Sequence, residues 1–181
     1  MGTPHSPLPA KLTVGILTAH SELMPAVRSS LERLYGPVDF LSAPLPFTQT
    51  GYYDRELGTP IQRQFLAFER LISQDALART KRECNALERQ SLAGDRRLVN
   101  IDPGYVTAAK LVLATTKDNC HRIYIGDGIY AEVTLRYHRG RYEPWPWTYP
   151  DYASAAYRSI FETIRAIYLD QLHRYPQAEP Q

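Results

Sequence analysis

Apolar residues in the first forty positions follow two patterns, which predict a strand and then a helix. Residues 12–19 form a continuous apolar run rich in β-formers, as in a buried strand. Apolar positions then recur along one helical face from Ser21, a capping residue, to Tyr35, and Gly36 follows where a helix ends. Residues 38–43 form a second β-rich run. The chain is therefore expected to open with a βαβ unit, whose strands are neighbours or enclose an antiparallel third strand as in ferredoxin-like folds.

A loop and two helices are predicted for the middle of the chain. Residues 44–60 are rich in Pro, Gly and Thr, a composition typical of a structured loop. Apolar residues within 61–71 fit a short helix, and a second helix is expected over 75–92. We interpret the charged residues of the second helix as a solvated surface.

The second half of the chain is predicted to be mainly sheet. Strands are expected over 97–101, 122–125, 129–137 and 141–145. Residues 109–115 fit either a strand or a short helix, because periodicity does not separate the two. Gly126-Asp127-Gly128 predicts a hairpin with a three-residue loop, and His138-Arg139-Gly140 predicts another turn. Residues 151–174 carry the apolar stripe of an amphipathic helix.

These elements predict an α+β fold. The expected order is an N-terminal βαβ unit, then helices and a mostly antiparallel β-meander, with a C-terminal helix packed on the sheet. The 181 residues suit a single domain, with flexible tails at 1–10 and 175–181.

Composition excludes several classes of protein. Hydrophobic residues make up 44% of the chain, which argues against intrinsic disorder. The net charge of +2 is too small to indicate nucleic-acid binding, and no recognition motif for nucleic acid occurs. Nothing in the sequence indicates an oligomeric state.

The cysteines and the apolar runs indicate a cytoplasmic protein. Cys84 and Cys120 are the only cysteines, and they lie far apart, as expected in a reducing compartment. The first residues lack the apolar core of a signal peptide, and no apolar run approaches the roughly 20 residues of a membrane span. We therefore expect a soluble cytoplasmic protein with no membrane partner.

No familiar catalytic or cofactor signature occurs. The phosphate loop, the dinucleotide turn, the nucleophile elbow and the zinc-protease helix are all missing. Cys120 and His121 are adjacent in sequence, which is not the spatial arrangement that activates a thiolate. The five histidines show no metal-ligand spacing, so we expect no metal site, and no particular cofactor is indicated.

One predicted strand combines a core face with a polar face. In regular alternation, Ala131, Val133 and Leu135 would form the core face. The opposite face would present Glu132 to solvent or to a pocket, within reach of Arg122 on the neighbouring strand. An ordinary solvated sheet face explains this pattern equally well.

Other polar residues of the second half also have simple structural interpretations. Asp102 begins an Asp-Pro-Gly sequence, which is typical of a turn. Asp151 stands just ahead of a helix, where an N-cap belongs. Lys110 and Lys117 flank an apolar run and suit strand ends that extend into water. His121 belongs to the residue type that changes charge near neutral pH, although a lone His beside a turn is more often structural.

The chain resembles a bacterial and archaeal family known as domain of unknown function 4416. The resemblance covers nearly the whole chain through KLTVGIL, PFTQTGYYDRELG, RQFLAFERLI, KRECNALE, RLVNIDPGY, KLVLATTKDNCHRIYIGDGIYAEVTL and PWTYPDY. Leu57 stands where the family usually has Met, which is a mild apolar change. The resemblance implies no reaction, cofactor or partner, but it implies that the tyrosine-containing loop and the segments 100–105 and 146–152 belong to one recurring construction.

We expect a pocket for a small anionic molecule, such as a phosphorylated metabolite or a nucleotide, lined by residues 100–152 and the loop 47–58. Basic side chains would neutralise the ligand and tyrosines would form walls. The expected ligand-binding residues are Tyr52, Tyr53, Arg55, Glu56, Lys110, Lys117, Arg122, Tyr149 and Asp151. If a reaction occurs, Asp102 or Glu132 would act as the base and His121 as the acid. For Glu56, an ion pair with an arginine on a helix surface is a structural alternative.

The alternative function is a protein- or RNA-binding module without turnover. It would use an exposed aromatic surface, since Tyr and Trp bury large areas at low entropic cost. The candidates are Tyr142, Trp145, Trp147, Tyr149 and Tyr152. Aromatic residues in a concave pocket with Lys and Arg would favour the small molecule, whereas a flat exposed patch would favour a partner.

Overall fold

The computed structural model describes residues 2–174. Its strands are β1 (Ala10–Thr18), β2 (Val38–Leu41), β3 (Leu45–Pro46), β4 (Gln62–Ile72), β5 (Leu92–Ala93), β6 (Arg96–Arg97), β7 (Asn100–Val106), β8 (Lys110–Thr115), β9 (Ile123–Gly126), β10 (Ile129–His138) and β11 (Arg141–Pro144). Its α-helices are α1 (Met24–Tyr35), α2 (Asp54–Leu57), α3 (Leu77–Glu88), α4 (Pro150–Ala153) and α5 (Ala155–Arg174). The expected C-terminal tail, 175–181, lies outside the described residues.

The first half has the topology of a ferredoxin-like unit. The order β1-α1-β2-β4-α3-β7 gives adjacent strands β7-β1-β4-β2, so β4 lies antiparallel between β1 and β2. This confirms the split form of the predicted βαβ unit. Both α1 and α3 cover one face of the sheet, where Leu31 and Cys84 join one core cluster with Val14 of β1.

The helix predicted over 61–71 is wrong, because this segment is the central strand β4. Phe65 packs on one face of the sheet and Phe68 on the other. Helices cover both faces, so apolar residues occur on both sides of the strand and hide its alternation. The second helix ends at Glu88 rather than at 92, and β5 and β6 form a small separate hairpin after it.

The second half extends the same sheet beyond β7. The order β11-β10-β8-β7 is an antiparallel meander, which confirms the expected α+β class and shows that 109–115 forms a strand. The hairpin between β9 and β10 has a two-residue loop rather than three, because Gly126 pairs with Ile129. Asp127 and Gly128 both have positive φ, as a type I′ turn requires.

The C-terminal helix packs on the face opposite α3. Phe161 and Ile164 of α5 contact a cluster that includes Leu135 of β10. Ala131 and Val133 instead belong to the cluster on the α3 side. The predicted common face for these β10 residues is therefore wrong, because a β-bulge between Val133 and Leu135 reverses the alternation.

Two further local predictions are corrected. Asp102, Pro103 and Gly104 lie within β7 rather than in a turn. The helix predicted over 151–174 is interrupted at Ser154, and Asp151 lies inside the first short helix, whose N-cap is Tyr149. Within residues 2–174, no helix has both the length and the apolar character that a membrane span requires.

Gly104 allows β7 and β8 to approach each other, and its replacement tests that contact. A Cβ atom there would clash with the carbonyl oxygen of Val112, a backbone atom that cannot rotate away. We expect Gly104→Ala to lower the free energy of unfolding by about 1–3 kcal/mol, measured by chemical denaturation. Gly2→Ala, a position with open space, is the control and should be neutral. Equal stability of the two variants would contradict the close approach.

Candidate functional site

A cavity opens where β7 and β8 separate. The two strands pair only between Gly104–Val106 and Leu111–Leu113. Residues 100–103 of β7 remain paired with β1, and residues 114–115 of β8 remain paired with β10. The resulting cavity has a volume of about 740 Å³, within the usual range for small-molecule sites. The two strands, α3, residues 47–53 and residues 149–152 contribute its walls.

Beside Ile101, side chains of α3 make the hydrogen bonds that β8 would make in a continuous sheet. Lys81 Nζ donates to the Ile101 carbonyl at 2.9 Å, and the Ile101 amide donates to Glu88 Oε1 at 2.7 Å. Both side chains are buried. In a strand, the N–H and C=O groups of alternate residues point to the same side. Pro103 therefore faces the same unpaired side as Ile101, and because proline has no N–H, it needs no hydrogen-bond acceptor there.

The predicted solvated role is therefore wrong for these two charges of α3. Lys81 and Glu88 share the buried stripe of the helix with Leu77 and Cys84, at the spacing of one helical face. The sequence signal for their burial was the position of both charged residues within the apolar stripe of the helix. Asn85 and Arg89, on the same helix, also line the cavity.

Arg63 of β4 is buried at the floor of the cavity. Gly15 of β1 has no side chain, and Arg63 Nη1 lies 2.8 Å from where its Cβ would be. The guanidinium therefore crosses β1 and reaches Asp102 at 3.4 Å and Asp151 at 3.5 Å. The rings of Phe47, Phe65 and Tyr152 surround it, each centroid between 5.5 and 5.7 Å away.

The two aspartates on Arg63 differ in their electrostatics. Burial raises the pKa of Asp102, but the charges of Lys81 and Arg63, with hydrogen bonds from Lys81 and Asn100, hold this pKa below its ordinary value. Burial raises the pKa of Asp151, and this effect exceeds the lowering by Arg63 and by the Tyr152 backbone amide. The floor therefore combines a stabilised carboxylate with a carboxyl group that resists ionisation.

A second charged group forms the wall on the β8 and β10 side. Arg122 Nε donates to Glu132 Oε2 at 2.8 Å, and its Nη2 donates to the Tyr149 hydroxyl at 3.1 Å. His121 Nε2 lies 3.2 Å from the same Oε2 atom, and its ring stacks on Trp147. The predicted pairing of Arg122 with Glu132 is thus present, and it is buried rather than solvated.

Lys117 and Tyr52 meet at the rim of the cavity. Lys117 Nζ donates to the Tyr52 hydroxyl at 3.1 Å and lies 4.7 Å from the centroid of its ring. The Lys117 carbonyl accepts from Arg122 Nη1 at 3.0 Å. Lys117, Arg122, Tyr52 and Tyr149 therefore form one connected group, which we call the rim subsite.

The loop 47–58 is fixed to the rest of the site by its short helix α2. Glu56 makes a two-point contact with Arg97, with distances of 2.6 and 2.8 Å, and Arg97 also contacts Glu88 at 2.6 Å. The hydrogen bond from Arg97 lowers the pKa of Glu56. Arg97 belongs to β6, so the expected ion pair of Glu56 exists but its partner is not on a helix.

Most of the predicted ligand-binding and catalytic residues line this cavity. These are Tyr52, Tyr53, Asp102, Lys117, Arg122, Glu132, Tyr149 and Asp151. Four others lie outside the lining: Arg55 is exposed, Lys110 begins β8 at the opposite end, Glu56 lies behind Arg97, and His121 lies behind Glu132. Arg55 and Lys110 are therefore withdrawn as ligand contacts, because α2 and the direction of β8 carry them away from the cavity.

Sequence reasoning missed several lining residues. They are Arg63, Lys81, Asn85, Glu88, Arg89, Arg97 and Asn100. Arg63 was hidden by the wrong helix prediction, although an interior strand glycine such as Gly15 is a signal of close approach by another group. Among residues 2–174, no three His, Cys, Asp or Glu side chains are grouped closely enough to hold a metal ion.

Comparison with protein families assigns the chain. The family model described as Domain of unknown function (DUF4416) matches residues 8–168. The chain belongs to the DUF4416 family. The match includes every residue that lines the cavity. No curated protein and no solved structure matches the chain.

The two aspartates of the floor should have opposite effects on stability. The lowered pKa of Asp102 means that its ionised form stabilises the fold above the unfolded pKa of about 3.9, and that this stabilisation disappears as the pH falls through the folded pKa. We expect Asp102→Asn to lower the free energy of unfolding at pH 7 by about 3 kcal/mol. The loss should shrink below pH 4.

Asp151→Asn is the matched comparison. The raised pKa of Asp151 means that the stability contributed by its protonated form is fully present below the unfolded pKa of about 3.9 and is lost as the pH rises through the folded pKa. Its replacement by Asn should therefore leave stability at pH 7 unchanged or increased, and any gain should vanish at low pH. Denaturation of the wild type and both variants between pH 3 and pH 8 measures this difference, and equal losses at pH 7 would refute it.

Proposed function

We propose that the protein binds a small anionic molecule, a phosphorylated metabolite or a nucleotide, in the cavity between β7 and β8. The observation that carries this proposal is the rim subsite, where two cations and two tyrosine hydroxyls converge at the opening of a cavity of ligand size. Such groups bind phosphate and carboxylate oxygens through charge-assisted hydrogen bonds.

The charges that line the cavity leave an excess of positive charge. Six cations line it, Arg63, Lys81, Arg89, Arg97, Lys117 and Arg122, against four carboxylates, Glu88, Asp102, Glu132 and Asp151, and Glu56 on Arg97 adds a fifth carboxylate from outside the lining. Within residues 2–174, the side chains of Arg89 and Lys117 have no carboxylate within the 4.0 Å of an ion pair, whereas the other four cations each have at least one. An anion in the cavity would therefore be attracted to the side chains of Arg89 and Lys117.

Arg122 has donors to spare for a ligand. A guanidinium offers five N–H groups, and three of them donate to Glu132, to the Lys117 carbonyl and to Tyr149. The side chain is only 6% exposed, so its position is set by these contacts before any ligand arrives. Such preorganisation reduces the entropic cost of binding.

Glu132 and His121 position Arg122 in this proposal. His121 contacts the Glu132 carboxylate, which also accepts hydrogen bonds from Arg122 and Thr134. Binding therefore accounts for their arrangement without catalysis. Asp102 likewise serves the floor of the site through Arg63 and Lys81.

We propose that the protein is cytoplasmic, in keeping with its two free cysteines.

The position of the aromatic residues favours a cavity ligand over a flat partner surface. Tyr149 and Tyr152 line the cavity, and Tyr142 is fully buried in the core under α5. Of the five aromatic residues expected on a partner surface, only Trp147 is exposed outside the cavity lining, and it is stacked between Trp145 and His121.

The proposal is tested by comparing two lysines, one at the first residue of β8 and one just beyond its last residue. Lys117→Ala removes a cation from the rim subsite, whereas Lys110→Ala removes one outside the cavity. With inorganic phosphate as the probe, we expect Lys117→Ala to weaken binding about tenfold, and Lys110→Ala to bind like the wild type. Isothermal titration at constant ionic strength measures both affinities.

Native mass spectrometry of protein purified from its own host provides an independent readout. A retained anionic molecule should be found with the wild type and with Lys110→Ala, and should be depleted in Lys117→Ala. Absence of phosphate binding by the wild type, or equal affinities in all three proteins, would refute the proposal.

A further inference from the structure

We infer that the ligand carries an aromatic ring next to its anionic group, as a nucleotide does, and that Tyr52 and Tyr149 stack on this ring. The inference rests on the proposed function, because it assigns the anionic group to the rim subsite. It goes further by selecting nucleotides over phosphorylated compounds without a ring.

The first supporting observation is the exposure of the two tyrosines. Tyr52 is 65% exposed and Tyr149 is 52% exposed, although both line the cavity. Other aromatic residues of the lining, such as Phe47 and Tyr152, are buried in core packing. Lys117 lies over part of the Tyr52 ring, but both tyrosines still present aromatic surface that the protein does not cover.

The second observation is that both exposed rings are held in place. The Tyr149 hydroxyl accepts from Arg122, and the Tyr52 hydroxyl accepts from Lys117. Tyr52 also packs edge-to-face on Tyr53, with centroids 5.0 Å apart and planes at 87°. Each stacking surface is thus linked directly to a cation, so a ring bound on it lies next to the anion that this cation binds.

The third observation is the presence of uncommitted amide groups. Gln49 and Asn85 line the cavity, and among residues 2–174 their side chains make no hydrogen bond. A primary amide both donates and accepts, as the edges of nucleobases require. The edge of a nucleobase offers the donors and acceptors that match these amides, whereas an aromatic hydrocarbon offers neither.

Ribose 5-phosphate and the four ribonucleoside 5′-monophosphates separate this inference from the proposed function, because they share the phosphate and differ in the base. Stacking of one base contributes roughly 1–3 kcal/mol by alanine substitution. We therefore expect at least one nucleotide to bind the wild type about tenfold more tightly than ribose 5-phosphate, measured by isothermal titration.

Three variants assign the difference to the rings. Tyr149→Ala should remove most of the tenfold advantage, while Tyr149→Phe, which keeps the ring, should retain it. Tyr124→Ala is the control, since Tyr124 is equally exposed but lies outside the cavity lining, and it should bind like the wild type.

The outcomes are distinct. If ribose 5-phosphate binds and no nucleotide binds more tightly, or if Tyr149→Ala keeps the advantage, the inference is overturned and the proposed anion site stands. If phosphate, ribose 5-phosphate and all four nucleotides fail to bind, the proposed function and the inference both fall. A tenfold preference that is lost only in Tyr149→Ala establishes the inference.

Discussion

The site depends on how the backbone of Ile101 is satisfied. In a continuous sheet, β8 would supply the partners for its N–H and C=O groups, and the space between β7 and β8 would be closed. Instead, Glu88 accepts from the Ile101 amide and Lys81 donates to its carbonyl. Pro103 lies two residues further along β7, on the same side of the strand, and has no N–H group that would need a partner. The sheet can therefore open internally without leaving the buried backbone groups of Ile101 unpaired.

This solution places charges in the protein interior, and those charges determine the rest of the network. A buried lysine or glutamate is costly unless an opposite charge and hydrogen bonds accompany it. Lys81 is matched by Asp102, and Glu88 by Arg97. Asp102 in turn contacts Arg63, whose path across the sheet requires the bare backbone of Gly15. Each group thus depends on the previous one, and loss of one member leaves its partner uncompensated.

The local sequence predicted the parts of this fold that depend on short-range patterns. The opening βαβ unit, the strands around Glu132 and the C-terminal helix each carry their own periodicity, and they were found. Strand β4 was missed because two covered faces remove the alternation that identifies a strand. Arg63 and Lys81 were missed for a related reason: their roles arise from contacts with residues more than fifteen positions away, which no local pattern encodes.

The floor and the rim of the cavity have separate physical tasks. At the floor, Arg63, Lys81 and Asp102 are largely engaged with one another, so their charges stabilise the open sheet and contribute little net attraction for an anion. At the rim, Lys117 is exposed and has no carboxylate partner among the described residues. Arg122 has more N–H donors than the three acceptors that it contacts. The exposed members of the rim, Lys117, Tyr52 and Tyr149, can therefore change with little cost in stability, whereas Arg122 compensates the buried charge of Glu132.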